Sequence, residues 1–259
     1  MRLHFIACRV FARELGYRAA LSPNIIDITW QPQGLHEDPK ILREYLEQSL
    51  EKLYGEIDRG ITQRPDYIVL GYGLCSNGVV GITARDIPIV VPRTDDCIGV
   101  FLGSEERYLK LFNEKKGTYW LNAGWIESSF MHYEEREQAV YQGYVDQFGE
   151  DNADYLMEIY NGWKKDYKSC GYITGGVRDT EELRAVAKRF ADDSGWSLDF
   201  YEGDGRLVQA LVDGDFSECL VCPPGHTIEA VVGPEKMRAV PALTNVLQTK
   251  PPLVYERYS

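Results

Sequence analysis

Three short apolar runs, each leading into a turn that carries a cysteine, constrain this chain more than any other feature. Leu3-His4-Phe5-Ile6-Ala7 ends on Cys8. Tyr67-Ile68-Val69-Leu70 leads through Gly71-Tyr72-Gly73-Leu74 to Cys75, and Ile89-Val90-Val91 leads through Pro92-Arg93-Thr94-Asp95-Asp96 to Cys97. Continuous β-branched runs are what parallel strands covered on both faces look like. Helical patterns separate them. Val10, Phe11 and Leu15 recur within 9–19. Ile41, Leu42, Tyr45, Leu46, Leu50, Leu53 and Ile57 form one stripe of 39–57, with Asp38 as N-cap and Pro39 at the first helical position. Strand–helix alternation predicts a doubly wound parallel sheet, whose ligands bind beyond the carboxyl ends of the strands. If the three strands are neighbours, their thiols converge on one crevice.

Farther along, a helix is predicted over 98–114, a strand over 118–126 and helical chain over 130–168, an arm or lid for the crevice. A second unit follows, with strand 171–174, helix 180–193 capped by Thr180, strand 197–201, a short helix at 206–212 and strand 219–222. The tail from Pro234 is expected to wrap the surface. The architecture expected is therefore α/β, two Rossmann-like lobes with parallel sheets. Residues 1–127 form the lobe with the three cysteines, 128–168 a helical connecting segment, and 169–259 the second lobe and tail.

The net charge of −12 argues against nucleic acid or an anionic membrane as partner, since both attract a basic face. No apolar run reaches the length of about 18 residues that a membrane span needs, and the chain opens on a strand without a signal peptide. A cytoplasmic protein with a small-molecule substrate is the expectation. Six cysteines in a reducing compartment serve metal or redox chemistry more often than disulfides.

Gly71, Gly73, Asn77 and Gly78 surround Cys75 with residues that take positive φ at little cost, so backbone N–H groups could form an anion-holding nest. Gly73, Asn77 and Gly78 are thus candidate cofactor-binding residues; the plain alternative is a tight turn whose cysteine fills space. Neither a phosphate-loop Gly-Lys-Ser/Thr nor GxGxxG is present. Arg93 is a candidate for binding an anionic group of substrate, with pairing to Asp95 or Asp96 about as strong an alternative. Asp96 is a candidate acid/base, although capping the helix that starts at Cys97 is the favoured use of either aspartate. That helix start is expected to lower the Cys97 thiol pKa. His36, in the loop before helix 39–57, is a second candidate acid/base. Cys219-x-x-Cys222 with His226 has zinc-like spacing. It lies in a strand pattern, however, where alternation sends the two thiols to opposite faces. Only Cys222 and His226 stay as candidates for a fourth contribution, while Cys170 and His4 read as structural.

Ala7-Cys8, Leu35-His36, the 71–78 turn, Pro92-Arg93, Asp96-Cys97, 101–104, 117–119, Gly124-Trp125-Ile126-Glu127, Gly214-Asp215 and Pro223-Pro224-Gly225 together resemble the uncharacterised prokaryotic family called domain of unknown function 1638. In the family pattern Cys8, Cys75 and Cys97 belong together, whereas Cys170, Cys219 and Cys222 are peculiar to this chain. The resemblance implies anaerobic, corrinoid-dependent methyl metabolism. The leading expectation is a metalloprotein in which Cys8, Cys75 and Cys97 bind a [4Fe–4S] cluster with one iron open to substrate. The alternatives are zinc on the same thiolates, an accessory protein or chaperone for a corrinoid or methyltransferase protein, and a metal-free cysteine nucleophile.

Overall fold

The computed structural model describes residues 1–130 and 133–242. Four parallel strands, β1 (Arg2–Cys8), β2 (Ile25–Gln31), β3 (Tyr67–Gly71) and β4 (Ile89–Pro92), form a sheet of order β2-β1-β3-β4. The strand order reverses between β1 and β3, the switch point where doubly wound sheets open a crevice at the strand carboxyl ends. Along β1, residues 3–8 are all buried whichever face they point to, as a sheet covered on both sides requires.

The helices between these strands follow the apolar periodicity. Helix α1 (Ala12–Leu21) connects β1 to β2, and α2 (Pro39–Asp58) connects β2 to β3. In α2 the expected cap is present, with Lys40 N–H donating to Asp38 Oδ1 at 2.9 Å, and Leu42, Leu46, Leu50 and Leu53 are buried. The single helix expected over 98–114 is two, α3 (Cys97–Leu102) and α4 (Glu105–Glu114). Gly103, at φ 79°, ends the first. Ser104 caps the second by accepting from Arg107 N–H at 3.2 Å, a glycine stop followed by a serine start.

The chain changes sheets earlier than the sequence boundary at 127. β5 (Thr118–Asn122) pairs in parallel with β6 (Ser169–Thr174), which pairs with β7 (Ser197–Glu202). Between β5 and β6 lie α5 (Ala123–Trp125), a π turn (Ile126–Phe130), α6 (Tyr133–Phe148), α7 (Glu150–Tyr160) and a 3-10 turn (Gly162–Asp166). Helices α6 and α7 pack against one another, and α7 against the turn. Helix α8 (Glu181–Asp193) connects β6 to β7 and buries Leu183, Ala187 and Phe190.

The chain then returns to the first lobe. Helix α9 (Arg206–Asp213) packs on α1 and α3, and β8 (Cys219–Cys222) adds to β4 as an antiparallel edge. The segment from 169 onward thus divides between the two sheets, β6 and β7 building the second while α9 and β8 pack on the first. A hairpin of β9 (His226–Ala230) and β10 (Met237–Pro241) follows. Most of the tail expected to wrap the surface lies outside the described residues.

Candidate functional site

Cys8 ends β1, Cys75 follows β3, and Cys97 opens α3 just beyond β4. Because β1, β3 and β4 are adjacent and parallel, all three cysteines leave the sheet at one edge, around the switch point. Ala7 registers with Gly71, so the backbones carrying Cys8 and the 71–75 turn depart side by side. Beyond the strands the β3 and β4 extensions stay tied, since Leu74 N–H donates to Thr94 O and Cys75 N–H to Asp95 O, both at 2.9 Å. Those two bonds set Cys75 beside Asp96 and Cys97. All three thiols are free, with Cys8 and Cys75 buried and Cys97 half-buried.

Of the four positions expected at positive φ, Asn77 alone takes it, joined by Cys75 and Ser76. Cys75, Ser76 and Asn77 take φ of 45°, 56° and 66°, a turn of left-handed backbone closed by Gly78 N–H donating to Cys75 O at 2.9 Å. Left-handed backbone costs roughly 1–2 kcal/mol per L-residue, and strain of this kind gathers at functional sites. Gly71, Gly73 and Gly78 are not in that region. They are needed for space: an added Cβ would stand 2.5 Å from Ala7 Cβ, 2.7 Å from Thr94 O and 2.4 Å from Leu42 Cδ2, respectively. Ser76 and Asn77 themselves are exposed.

Electrostatically the site holds its thiols neutral. Burial pushes the Cys8 thiol up to about 11. Burial, then the Asp96 carboxylate and the neighbouring thiols, raise Cys75 and Cys97 further. The expected lowering of Cys97 by its helix start is therefore overridden, because desolvation and a fixed carboxylate outweigh one short helix. Cys97 feels the charges of Cys75 and Cys8, Cys75 that of Cys8, and the Tyr72 hydroxyl those of all three. Tyr72 is 3% exposed, and neither its hydroxyl nor that of buried Thr94 has a hydrogen-bond partner. Among the described residues, no three His, Cys, Asp or Glu side chains stand close enough as oriented to hold a metal ion.

Of the two candidate acid/base residues, Asp96 lies beside this group, and His36 lies within reach of the Asp96 charge. Asp96 caps α3 through Oδ1, accepting from Ile98 N–H at 2.8 Å, and Oδ2 accepts from the Tyr108 hydroxyl at 3.0 Å. Burial raises its pKa. His36 packs edge-on against Trp125, with ring centroids 5.7 Å apart. Burial lowers its pKa against the opposing charges of Glu37 and Asp96.

Arg93 has a different use from the one expected. Its guanidinium donates to the carbonyl oxygens of Glu235 and Met237, each at 2.5 Å, and so anchors the β9–β10 hairpin. Asp95 pairs instead with Lys236 at 2.7 Å, and Lys236 also reaches Glu105 at 3.0 Å. Nothing in the local sequence of Lys236, more than a hundred residues away, signals this contact. Cys222 stands opposite Ile89, at the start of β4, whereas Cys219 stands opposite Pro92 at its end. Cys222 and His226 therefore lie toward the sheet edge away from Cys97 and contribute nothing to the group. Tyr72 and Thr94 were missed by sequence reasoning. The one available signal was a tyrosine set between two glycines.

No curated protein and no solved structure matches this chain. Residues 30–212 match the profile of the family described as "Protein of unknown function (DUF1638)". That match covers well over half of the sequence, the 71–78 turn and the Asp96-Cys97 pair included, and the chain belongs to this family.

Proposed function

We propose that Cys8, Cys75 and Cys97 bind a [4Fe–4S] cluster with one iron open to a small substrate, in a cytoplasmic metalloprotein of anaerobic metabolism. The observation that carries this reading is three free thiols gathered at the switch point from three neighbouring strand ends. Burial keeps them neutral, so thiolates here demand a bound cation, the situation a metal centre reverses. Ligands drawn from three separate elements differ from the closely spaced runs of ferredoxins and suit a site open on one side. When bound, the cluster supplies a Lewis-acidic iron. Around it Asp96 and His36 would hold or move protons, and the Tyr72 and Thr94 hydroxyls would donate to sulfur or to a bound oxygen.

A second reading is an accessory role toward a corrinoid or methyltransferase protein. What supports it is the exposure of Phe148, Tyr155 and Ile159 at 48%, 63% and 58% on the α6–α7 hairpin, apolar side chains open to a partner.

The test is anaerobic purification and reconstitution with iron and sulfide. The expected result is a brown protein with equal iron and acid-labile sulfide, lost in Cys8→Ser, Cys75→Ser and Cys97→Ser but kept in Cys222→Ser. A colourless protein with one tightly held zinc moves the assignment to zinc on the same thiolates. A protein that retains neither metal, or loads equally in the Cys97→Ser variant, ends it.

A further inference from the structure

Strand β2 is an open edge of the first sheet. It pairs with β1 in unbroken register from Arg2↔Ile25 to Cys8↔Gln31, and among the described residues no strand pairs with its other side. In a parallel ladder a residue turns both its N–H and its C=O to one neighbour, and the next residue turns both away. Ile25 N–H donates to Met1 O at 2.9 Å. Ile25, Asp27, Thr29 and Gln31 therefore face β1, and Ile26, Ile28 and Trp30 turn their backbone groups outward.

Exposed edges are normally blunted by lysine or proline on the strand, by a bulge or by an unpaired charge. The run Ile25-Ile26-Asp27-Ile28-Thr29-Trp30-Gln31 has no lysine, arginine or proline, and its register carries no bulge. Its one charge, Asp27, is paired with Arg2 at 2.5 Å. Ile26, Ile28 and Trp30 pack against the core yet stay partly exposed, and Ile25 is 57% exposed.

The strand is complementary to its own reverse. Set antiparallel to a second β2 with Asp27 on the twofold axis, it would bring two carboxylates face to face, a destabilising pair, and leave Trp30 unpaired. With Thr29 on the axis Ile26 is left unpaired. With Ile28 on the axis, Ile28 meets Ile28 and Ile26 meets Trp30, so every outward N–H and C=O of both copies finds a partner. Asp27 then stands opposite Thr29 and meets no like charge. Pairs of β-branched and aromatic side chains across strands are the stabilising kind.

We propose that β2 pairs antiparallel with β2 of a second copy of this chain, with Ile28 on the twofold axis, joining the two five-stranded sheets into one. Such a contact is isologous and closed, since each copy covers its open β2 edge with the other's. The assignment is independent of whether the thiols hold a metal.

Sedimentation equilibrium and residue-resolved amide exchange on the full chain test it. A dimer is expected in the micromolar range, with the Ile26, Ile28 and Trp30 N–H groups protected in the dimer and exchanging fast on dilution to monomer. Ile28→Lys sets two ammonium groups against each other at the axis. It is expected to raise the dissociation constant by roughly tenfold or more, with the circular dichroism spectrum of the wild type. A chain that is monomeric throughout that range overturns the proposal. So does protection of the three amides that does not change with concentration, the mark of an edge covered by the chain's own residues. A dimer whose three amides exchange fast, or a folded Ile28→Lys dimer as tight as the wild type, overturns it as well. Should Ile28→Lys fail to fold, the exchange measurement on the wild type decides by itself.

Discussion

Replacing Gly73 with alanine tests how the cysteine turn is held. An added Cβ would lie 2.6 Å from Thr94 Oγ1, 2.7 Å from Thr94 O and 2.9 Å from Asp96 Cα. Two of those atoms are backbone, so no rotamer change relieves the contact, and the 71–75 and 94–97 segments must separate. Overpacking of this kind costs about 1–3 kcal/mol. Separation also breaks the Leu74–Thr94 and Cys75–Asp95 hydrogen bonds, at about 1 kcal/mol each. A total of about 3–5 kcal/mol corresponds to a fall of roughly 10 °C in melting temperature for a chain of this size. Thermal unfolding followed by circular dichroism measures it. Gly55→Ala is the control: it lies inside α2 with nothing within 4 Å of its added Cβ, and should stabilise by about 0.5–1 kcal/mol. If Gly73→Ala melts with the wild type while Gly55→Ala behaves as expected, the two segments are not held by this contact.

Ser76→Val should destabilise by about 1–2 kcal/mol, since Ser76 sits at φ 56° and a β-branched residue tolerates the left-handed region poorly; urea unfolding against Ser76→Gly reads the difference. Burial raises Glu105 from 4.5 to about 7, so the folded state binds its proton more tightly than the unfolded chain does. Its contribution is present below about pH 4.5 and is lost as pH rises through about 7. Glu105→Gln should therefore flatten the decline of melting temperature across that window, and an unchanged pH profile would contradict the assignment. Arg93→Ala should release the β9–β10 hairpin, seen as faster amide exchange over 226–241 with the three-cysteine chemistry unaltered. Loss of metal loading in that variant would instead return Arg93 to the site.

What the sequence determined by itself is local. Buried strands at β1, β3 and β4 follow from apolar runs of the right length, and α2 follows from its leucine stripe and its Asp38 cap. Once those strands are parallel neighbours, the gathering of Cys8, Cys75 and Cys97 at one edge follows from chain direction alone, because every parallel strand delivers its next residue to the same side. Helix α3 could have been separated from α4 at Gly103-Ser104, a stop and a start legible in two letters. Tertiary structure alone decided the rest. Whether Cys75, Ser76 and Asn77 or their glycine neighbours take positive φ depends on what lies against the turn, and Ala7, Thr94 and Leu42 leave those glycines no room for a side chain. The sheet to which β5 belongs, the return of α9 and β8 to the first lobe, and the grip of Arg93 and Lys236 across more than a hundred residues are set by long-range pairing. Such pairing leaves no period or spacing in the chain, because its partners are chosen by the shape of the folded surface and not by position along the sequence.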